Sequence, residues 1–488
     1  MGKDLVLDAD KALAAACRRR FYRFVKEMWT VIIPEEPVWN WHIEFLCDEA
    51  QEIVERIMYF PEVLHPDGTV KSPEKRREAK LEDLLVNIPP GTTKSTIFTV
   101  MLPAWAWTRD ATLRIMTGSY SQSLATDHAI KSRDIIKSDK YRRCFPHIIL
   151  KYDQDNKMHY KNTLNGERFA TSVTGTATGF HAHLCVIDDP LNAKDEASES
   201  ALDTANGFMN TTLPTRKIDK AVTVIMLIMQ RLNEDDPSGN WLKKKNKKLK
   251  HIKLPATSDG DVQPPELRDR YVDGKLDPIR LSTVILDEAK IDLGSYGYAG
   301  QYQQEPSPLE GGIWQKWLIP IDDKDFPHRS TMTNYGTDWD TAYTKNDKNA
   351  ASAPMTSGKI DNNMYIDNFD YVYLEFPKLI EYMSGWAEPH YIEAKASGKS
   401  LKQTLVNNGI NAIEVEVKGG EDKEARARMS TPYAEAGRVF IRKSLINKLY
   451  NDEQQGILKF PKAPKKDVAD VLAQAIQRQL GKKGFKYW

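Results

Sequence analysis

The sequence predicts an α/β protein built on two sheet domains, and three observations predict it. Short apolar runs alternate with polar helical stretches between about Leu81 and Leu254, the pattern of buried parallel strands joined by helices. The same alternation resumes near Pro320, after a stretch richer in Pro, Gly and Asp with few strand signals. The length, 488 residues with 41% hydrophobic side chains, leaves room for two or three cores at roughly 150 residues each.

In chain order, Asp4 to Phe60 reads as mostly helical. In WNWHIEFLCDEAQEIVERI, Trp39, Trp41, His42, Phe45 and Leu46 fall at helical spacing. DLLVNIP, TLRIMTGS, HLCVIDDP and AVTVIMLIM read as buried strands, and residues 255–320 as a connecting subdomain. YGTDWDTA, NMYIDNFDYVYLEF, HYIEAKA and NAIEVEV read as strands of a second domain that ends in the helical segment VADVLAQAIQRQL. The expected division is therefore 1–60, 61–254, 255–320 and 321–488.

The 69 basic and 68 acidic side chains leave a formal charge of +1, so any nucleic-acid surface must come from local segregation of charge. The lysine-rich segment from Lys243 to Lys253 and KASGKSLK from Lys395 to Lys402 are the candidates, with a solvated loop as the alternative for the first. The longest apolar stretch, Ala221 to Met229, is nine residues against the roughly 20 of a membrane helix, so no membrane partner is expected. Cys17, Cys47, Cys144 and Cys185 are too scattered for a disulfide framework or a zinc site, which fits a reducing cytosol.

LLVNIPPGTTKSTIFTVMLPAWAW runs from a strand, Leu84 to Ile88, through a turn into a helix starting near Lys94. A helix N-terminus offers free N–H groups and the positive end of a dipole, so Lys94 and Ser95 there suit nucleotide phosphates and Mg2+. The spelling departs from G-x-x-x-x-G-K-[ST]: Ile88 and Thr93 stand where glycines belong, and only Gly91 is present. Alone, the segment reads equally well as a tight turn with a surface lysine. In HLCVIDDP an apolar strand delivers Asp188 and Asp189 to the C-terminal edge of a parallel sheet, where such sheets bind ligands. Asp188 would hold Mg2+ through water and Asp189 would polarise the attacking water; an acidic turn is the alternative. TLPTRK, with Thr215 and Arg216, and the strand end at Gln230 and Arg231 offer a γ-phosphate sensor or an arginine reaching across a subunit boundary, against a surface salt bridge for either arginine.

In GTDWDTA, Asp338 and Asp340 are two apart on a strand and point to one face, where they repel unless a proton or cation lies between them. Glu393 ends the strand HYIE. Asp467 and Asp470 are one helical turn apart, on one side of the last helix. Such carboxylates suit a two-metal nuclease, with ions roughly 4 Å apart, and an all-oxygen set favours Mg2+ or Mn2+. The alternative makes Asp470 a solvated helix residue and Asp338 a turn former.

Taken together, PPGTTKST, SYSQSLATDHAIKSRDIIKS, GTATGFHAHLCVIDDP, MQRLNEDDPSG, YAGQYQQEPSPLEGGIW, WDTA, IEAKASGKSL and DKEARARMSTPYAEAGRVFI resemble, in order and over about residues 35 to 480, the blocks of the large terminase subunit of tailed double-stranded DNA viruses. The resemblance implies an N-terminal P-loop ATPase of the additional-strand class, with a mostly parallel sheet, and a C-terminal RNase H-like nuclease. It implies ATP, Mg2+ and, at the nuclease, Mg2+ or Mn2+. Its implied partners are double-stranded DNA, a portal and procapsid, a small terminase subunit and further copies of the chain in a pentameric ring, in the host cell cytoplasm. Gly91, Thr92, Thr93, Lys94, Ser95 and Thr96 would form the ATP loop, with Lys94, Ser95 and Thr96 on the phosphate and Mg2+ positions and Asp188 as the metal-holding aspartate. Asp189 stands where many relatives carry glutamate, so Glu196 or Glu199 are substitutes. Gly91 stands where many carry arginine, leaving that role to Arg216 or Arg231. Trp39, Trp41 and His42 resemble an aromatic block that flanks adenine, although helix packing explains the tryptophans equally. Asp340, Glu393 and Asp467 match the nuclease carboxylates, with Asp338 and Asp470 as further metal ligands; Lys466 stands where relatives often have a second aspartate. A cellular helicase-nuclease or repair ATPase, and a non-catalytic assembly protein with degenerate sites, are the alternative functions.

Overall fold

The computed structural model describes residues 2–58, 82–175, 179–196, 198–244, 248–306, 312–341, 351–393, 396–415 and 423–481. The chain divides into two compact units, Met1–Leu286 with Gly297–Ser307, and Asp287–Tyr296 with Pro308–Trp488. Most of residues 255–306 therefore cluster with the first unit rather than forming a body of their own.

The first unit holds an eight-stranded sheet: β1 (Asp83–Asn87), β2 (Arg114–Ser119), β3 (Leu150–Asp155), β4 (His159–Asn162), β5 (Glu167–Ser172), β6 (Leu184–Asp188), β7 (Val224–Met229) and β8 (Leu249–Lys253), in the order β3-β4-β5-β2-β6-β7-β1-β8. From β5 to β8 every pair is parallel; β3, β4 and β5 pair antiparallel. Every residue of β1, β6 and β7 is buried, as a parallel sheet covered on both faces requires. Strand β7 lies between β1, which leads into the Lys94 loop, and β6, which ends in Asp188. That inserted strand is the mark of the additional-strand class. Registers Asn87↔Met229 and Asp188↔Ile228 bring the ends of β1, β6 and β7 to one edge. Helix Trp41–Ile57 is capped by Asn40, whose side chain accepts from the Trp41 N–H, and Gln122–Lys137 by Ser121, both caps that satisfy otherwise orphaned donors.

The second unit holds a seven-stranded sheet: β9 (Ile319–Ile321), β10 (Thr333–Asp340), β11 (Ala353–Ile360), β12 (Asn363–Phe369), β13 (His390–Glu393), β14 (Ala412–Val415) and β15 (Val439–Arg442), in the order β14-β13-β10-β11-β12-β15-β9. β10, β11 and β12 form an antiparallel meander, and β13 and β14 add in parallel beside β10. This is the RNase H-like order, extended at its far edge by β15 and β9. Side chains alternate between the two faces along β10. Trp339 packs into one core with Leu379, Met383, Ile392 and Leu401, so Asp338 and Asp340 turn to the other face. There helix Asp467–Leu480 packs Val468, Leu472, Ala475 and Ile476 into a core with Met355, Met364 and Ile366. Asp467, Asp470, Gln474 and Arg478, spaced by three and four, make a polar stripe on this otherwise apolar helix.

Candidate functional site

Two sites emerge, one in each unit. In the first, the loop after β1 takes the backbone shape that glycines would give it. Gly91 has φ +75°, and Thr93, standing where the motif wants glycine, has φ 74°. A left-handed backbone is costly for a β-branched residue and persists where the surroundings enforce it, as at functional loops. The enforcing contacts are visible. The Thr92 hydroxyl donates to the Pro89 carbonyl at 2.7 Å, and Nε2 of His42 lies 3.2 Å from the Thr92 carbonyl. The Asn40 amide lies 2.9 Å from Nδ1 of His42; donating there, it leaves the ring proton on Nε2, facing Thr92. Burial lowers the His42 pKa to about 4, with the Thr92 carbonyl pulling the other way. His42 thus holds the loop rather than facing a base. Trp41 is half-buried, with the Arg270 guanidinium 4.8 Å from its ring centre and Tyr271 at 5.8 Å.

Beyond the loop, Thr96–Met101 forms a π-helical turn before the α-helix Leu102–Arg109; such turns recur at functional sites. Lys94 is buried, and its ammonium lies 3.2 Å from Asp189 Oδ2. Asp189 Oδ1 accepts from the Gln230 N–H at 3.3 Å, and its backbone is left-handed at φ 42°. Asp188 is 1% exposed, yet neither carboxylate oxygen makes a regular hydrogen bond among the described residues. Burial, then Asp189, raises its pKa to about 7, with Lys94 and the Ser95 hydroxyl lowering it. Buried carboxylate oxygens beside a phosphate-type loop fit a bound cation, because Lys94 and Ser95 offset only part of their desolvation. His128, unremarkable in the sequence, lies 3.9 Å from Asp188 Oδ2 and 3.3 Å from the Thr99 hydroxyl.

Three expectations for this site are corrected or narrowed. Arg231 is not a free arm: its Nε lies 3.0 Å from Asp236 Oδ2 and its Nη2 3.2 Å from the Asn233 carbonyl, with Asp236 wholly buried. Arg216 sits beside Ala182, whose N–H donates to its carbonyl. That is the edge of β6 opposite Asp188, about 20 Å away at the rise of a strand, so Arg216 does not sense the phosphates of its own chain. Glu199 is exposed on helix Glu199–Gly207, while Gln230 at the end of β7 keeps a buried Oε1 without a regular partner among the described residues. The lysine-rich segment also reads differently in place. Lys250 pairs with Glu49 at 2.5 Å, Lys253 with Glu305 at 2.8 Å, and Lys243 with Asp235; residues 245–247 lie outside the described set.

In the second unit, Asp340, Glu393, Asp467 and Asp470 gather around two cations that sequence reasoning missed. Lys423 Nζ lies 2.9 Å from Asp340 Oδ2, 3.3 Å from Asp467 Oδ1 and 3.2 Å from Asp470 Oδ2. Arg426, one turn along the same helix, reaches Glu393 Oε1 at 2.9 Å and Asp470 Oδ2 at 2.6 Å. Gln455 braces Asp467, donating to Oδ2 at 2.9 Å and accepting from the Asp467 N–H at 3.1 Å. Burial raises the Asp340 pKa to about 6; Lys423 opposes this, and Asp470 and Asp467 add to it. Burial would lower the Lys423 pKa, but Asp340, Asp470 and Asp467 outweigh it and raise it. The all-oxygen donor set is of the kind a hard cation takes, and the Lys423 ammonium lies among three of its carboxylates. As the side chains lie, no group of three or more His, Cys, Asp or Glu among the described residues is arranged to hold a metal directly. Among the described residues, Asp470 Oδ1 is buried without a regular partner.

Asp338 does not join this cluster, which corrects the expectation that it is a ligand. Arg478 clasps it through Nε at 2.9 Å and Nη2 at 2.7 Å, and Gln474 donates to Oδ1 at 3.3 Å. The bidentate guanidinium satisfies the carboxylate that strand geometry had placed beside Asp340. Most of KASGKSLK has side chains outside the described set; Lys402 pairs with Glu414 at 3.9 Å.

No described helix is long and apolar enough to cross a membrane. No family model matches this sequence, and no curated relative does. Among solved structures the chain is similar to a large terminase from a thermophilic bacteriophage, at 10% identity over 75% of this chain and 83% of that one, with a TM-score of 0.41. It is similar to the HK97 bacteriophage large terminase at 12% identity over 88% and 99%, TM-score 0.33. It is also similar to the Thermus phage P74-26 large terminase nuclease domain at 17% identity over 35% and 96%, TM-score 0.23.

Proposed function

We propose that this chain is the large subunit of a viral DNA-packaging motor, in which ATP hydrolysis moves double-stranded DNA into a procapsid and a metal-dependent endonuclease cuts concatemeric DNA. The coexistence of two separate sites in one chain carries this reading: the Lys94 loop with the orphan carboxylate of Asp188 on an additional-strand sheet, and the carboxylates around Lys423 on an RNase H-like sheet. The consecutive sequence blocks support it.

At the first site Lys94 is the phosphate-binding cation, and Ser95, Thr96 and Asp188 would hold Mg2+, which when bound neutralises phosphate charge. Asp189, now paired with Lys94, is freed to orient water once phosphates take the lysine. Arg216, distant from its own chain's loop, is the candidate to act on a neighbour in a pentameric ring docked on a portal, with a small subunit delivering DNA. At the second site Asp340, Glu393, Asp467 and Asp470 would hold Mg2+ or Mn2+, which supplies activated water and stabilises the leaving oxygen. Arg426 fixes Glu393 and Asp470 in place.

The test is uptake of duplex DNA by purified procapsids bearing portals. The reading expects nuclease-protected DNA only when the chain and ATP are both present. Strand separation without procapsids would instead favour a helicase-nuclease, and neither hydrolysis nor cleavage would favour an assembly protein.

A further inference from the structure

The carboxylate cluster of the second unit is partly compensated, by two cations of unequal exposure. Arg426 is 1% exposed and locked between Glu393 and Asp470, whereas the Lys423 side chain is 31% exposed and ends a flexible four-carbon stem. Four carboxylates against two cations leave the pocket net negative. A buried group of this kind stays attractive to a further cation, and a lysine is the weaker fixture because its single ammonium can return to water while a buried bidentate arginine cannot.

We propose that Lys423 is a tethered counter-ion that occupies the cation position of the carboxylate cluster, and that a divalent metal binds there by displacing it. The inference rests on reading this cluster as the metal site of the nuclease and adds its regulation. With the lysine seated, Asp340, Asp467 and Asp470 each give an oxygen to Nζ, so the fold is stable without metal and the nuclease is latent. When a divalent cation enters, those oxygens turn to the ion and the amine swings to solvent. Lys423 thereby sets the metal concentration at which cutting begins, and Arg426 keeps Glu393 and Asp470 positioned in both states. An ion pair exchanged for a doubly charged ion needs no movement of the backbone.

The wild-type full chain tests this without any substitution. Acetylation of the Lys423 amine, followed by mass spectrometry of the peptide, is expected to speed up severalfold on adding Mn2+, because displacement exposes the amine. An unchanged or slower rate overturns the proposal. Asp340→Asn should abolish the response, which separates this site from metal bound elsewhere in the chain. In parallel, Lys423→Met is expected to bind Mn2+ about tenfold tighter or more, since a competing positive charge is gone, while Lys423→Arg binds no tighter than wild type. Equal or weaker binding by a Lys423→Met chain that keeps its ATPase activity also overturns it. If labelling responds to Mn2+ but no metal supports DNA cleavage, the nuclease reading fails and the counter-ion role stands. If the wild type cuts DNA but labelling is indifferent to Mn2+, the reverse holds.

Discussion

The Lys94 ammonium rests 3.2 Å from the carboxylate of Asp189, the residue next to the orphaned Asp188. The lysine thus has an internal partner, and Asp189 is held beside the loop. From that position Asp189 is proposed to orient the attacking water, although it is one methylene shorter than glutamate. Asp189→Ala should lower ATP turnover by about a hundredfold to ten-thousandfold, the usual contribution of a positioned base, and leave nucleotide binding within a few-fold. Steady-state hydrolysis and equilibrium binding of a fluorescent nucleotide check both halves; unimpaired turnover would move the role to Glu196 or Glu199.

The two arginines should separate cleanly. Arg231→Ala takes the guanidinium from the buried Asp236, which keeps N–H donors from Leu232, Asn233 and Gly239, and is expected to destabilise the first unit by about 1–3 kcal/mol, the usual worth of hydrogen bonds to a charged group, seen as a lower unfolding temperature. Arg216→Ala should leave that temperature unchanged and reduce hydrolysis only under conditions where chains assemble. Mixing Arg216→Ala with Lys94→Ala chains should restore part of the activity; an absence of rescue argues against an arginine acting between subunits.

His42 gives the first unit a dependence on acid. Its folded pKa is about 4 against an ordinary 6.5, so the unfolded chain takes up the proton first. Its contribution is complete above about 6.5, falls as pH drops from there toward 4, and amounts to roughly 3 kcal/mol at full strength. His251, also near 4 through burial and then Lys253, acts in the same direction. Urea unfolding at pH 7 and pH 5 should show the loss, and His42→Gln should show less of it.

Asp338 belongs to the framework. Asp338→Ala takes the carboxylate from the half-buried Arg478 and should lower the unfolding temperature of the second unit. Mn2+ affinity, measured calorimetrically at a temperature where the protein is folded, should stay within a few-fold of wild type. A specific loss of metal binding without loss of stability would return Asp338 to the ligand set.

The strands β1, β6, β7, β10 and β13 all fall where the sequence puts them: β1, β6 and β7 were legible as mostly apolar runs, and β6, β10 and β13 by their closing acids Asp188, Asp340 and Glu393. β11 was not, since APMTSGKI neither alternates nor lacks Pro and Gly; it is a strand because β10 and β12 pair with it on both sides. Thr93 hides a glycine-like backbone under a β-branched side chain, which no spelling rule reveals. Lys423 and Arg426 lie in an ordinary-looking charged helix, KEARARMSTPYAE, and acquire meaning only when the chain brings it beside β10 and the Asp467 helix. The pairing of Asp338 with Arg478 is equally non-local, joining residues 140 apart.

If one chain carries two separable activities, parallel assays of ATP hydrolysis and metal-dependent plasmid cleavage on wild type, Lys94→Ala and Asp340→Ala must pull them apart. Lys94→Ala should lose hydrolysis and keep cleavage, while Asp340→Ala should lose cleavage by about a hundredfold or more, as expected for a lost metal ligand, and keep hydrolysis. Loss of both activities in either folded variant, or retention of both in either, would show that the two sites do not divide the work in this way.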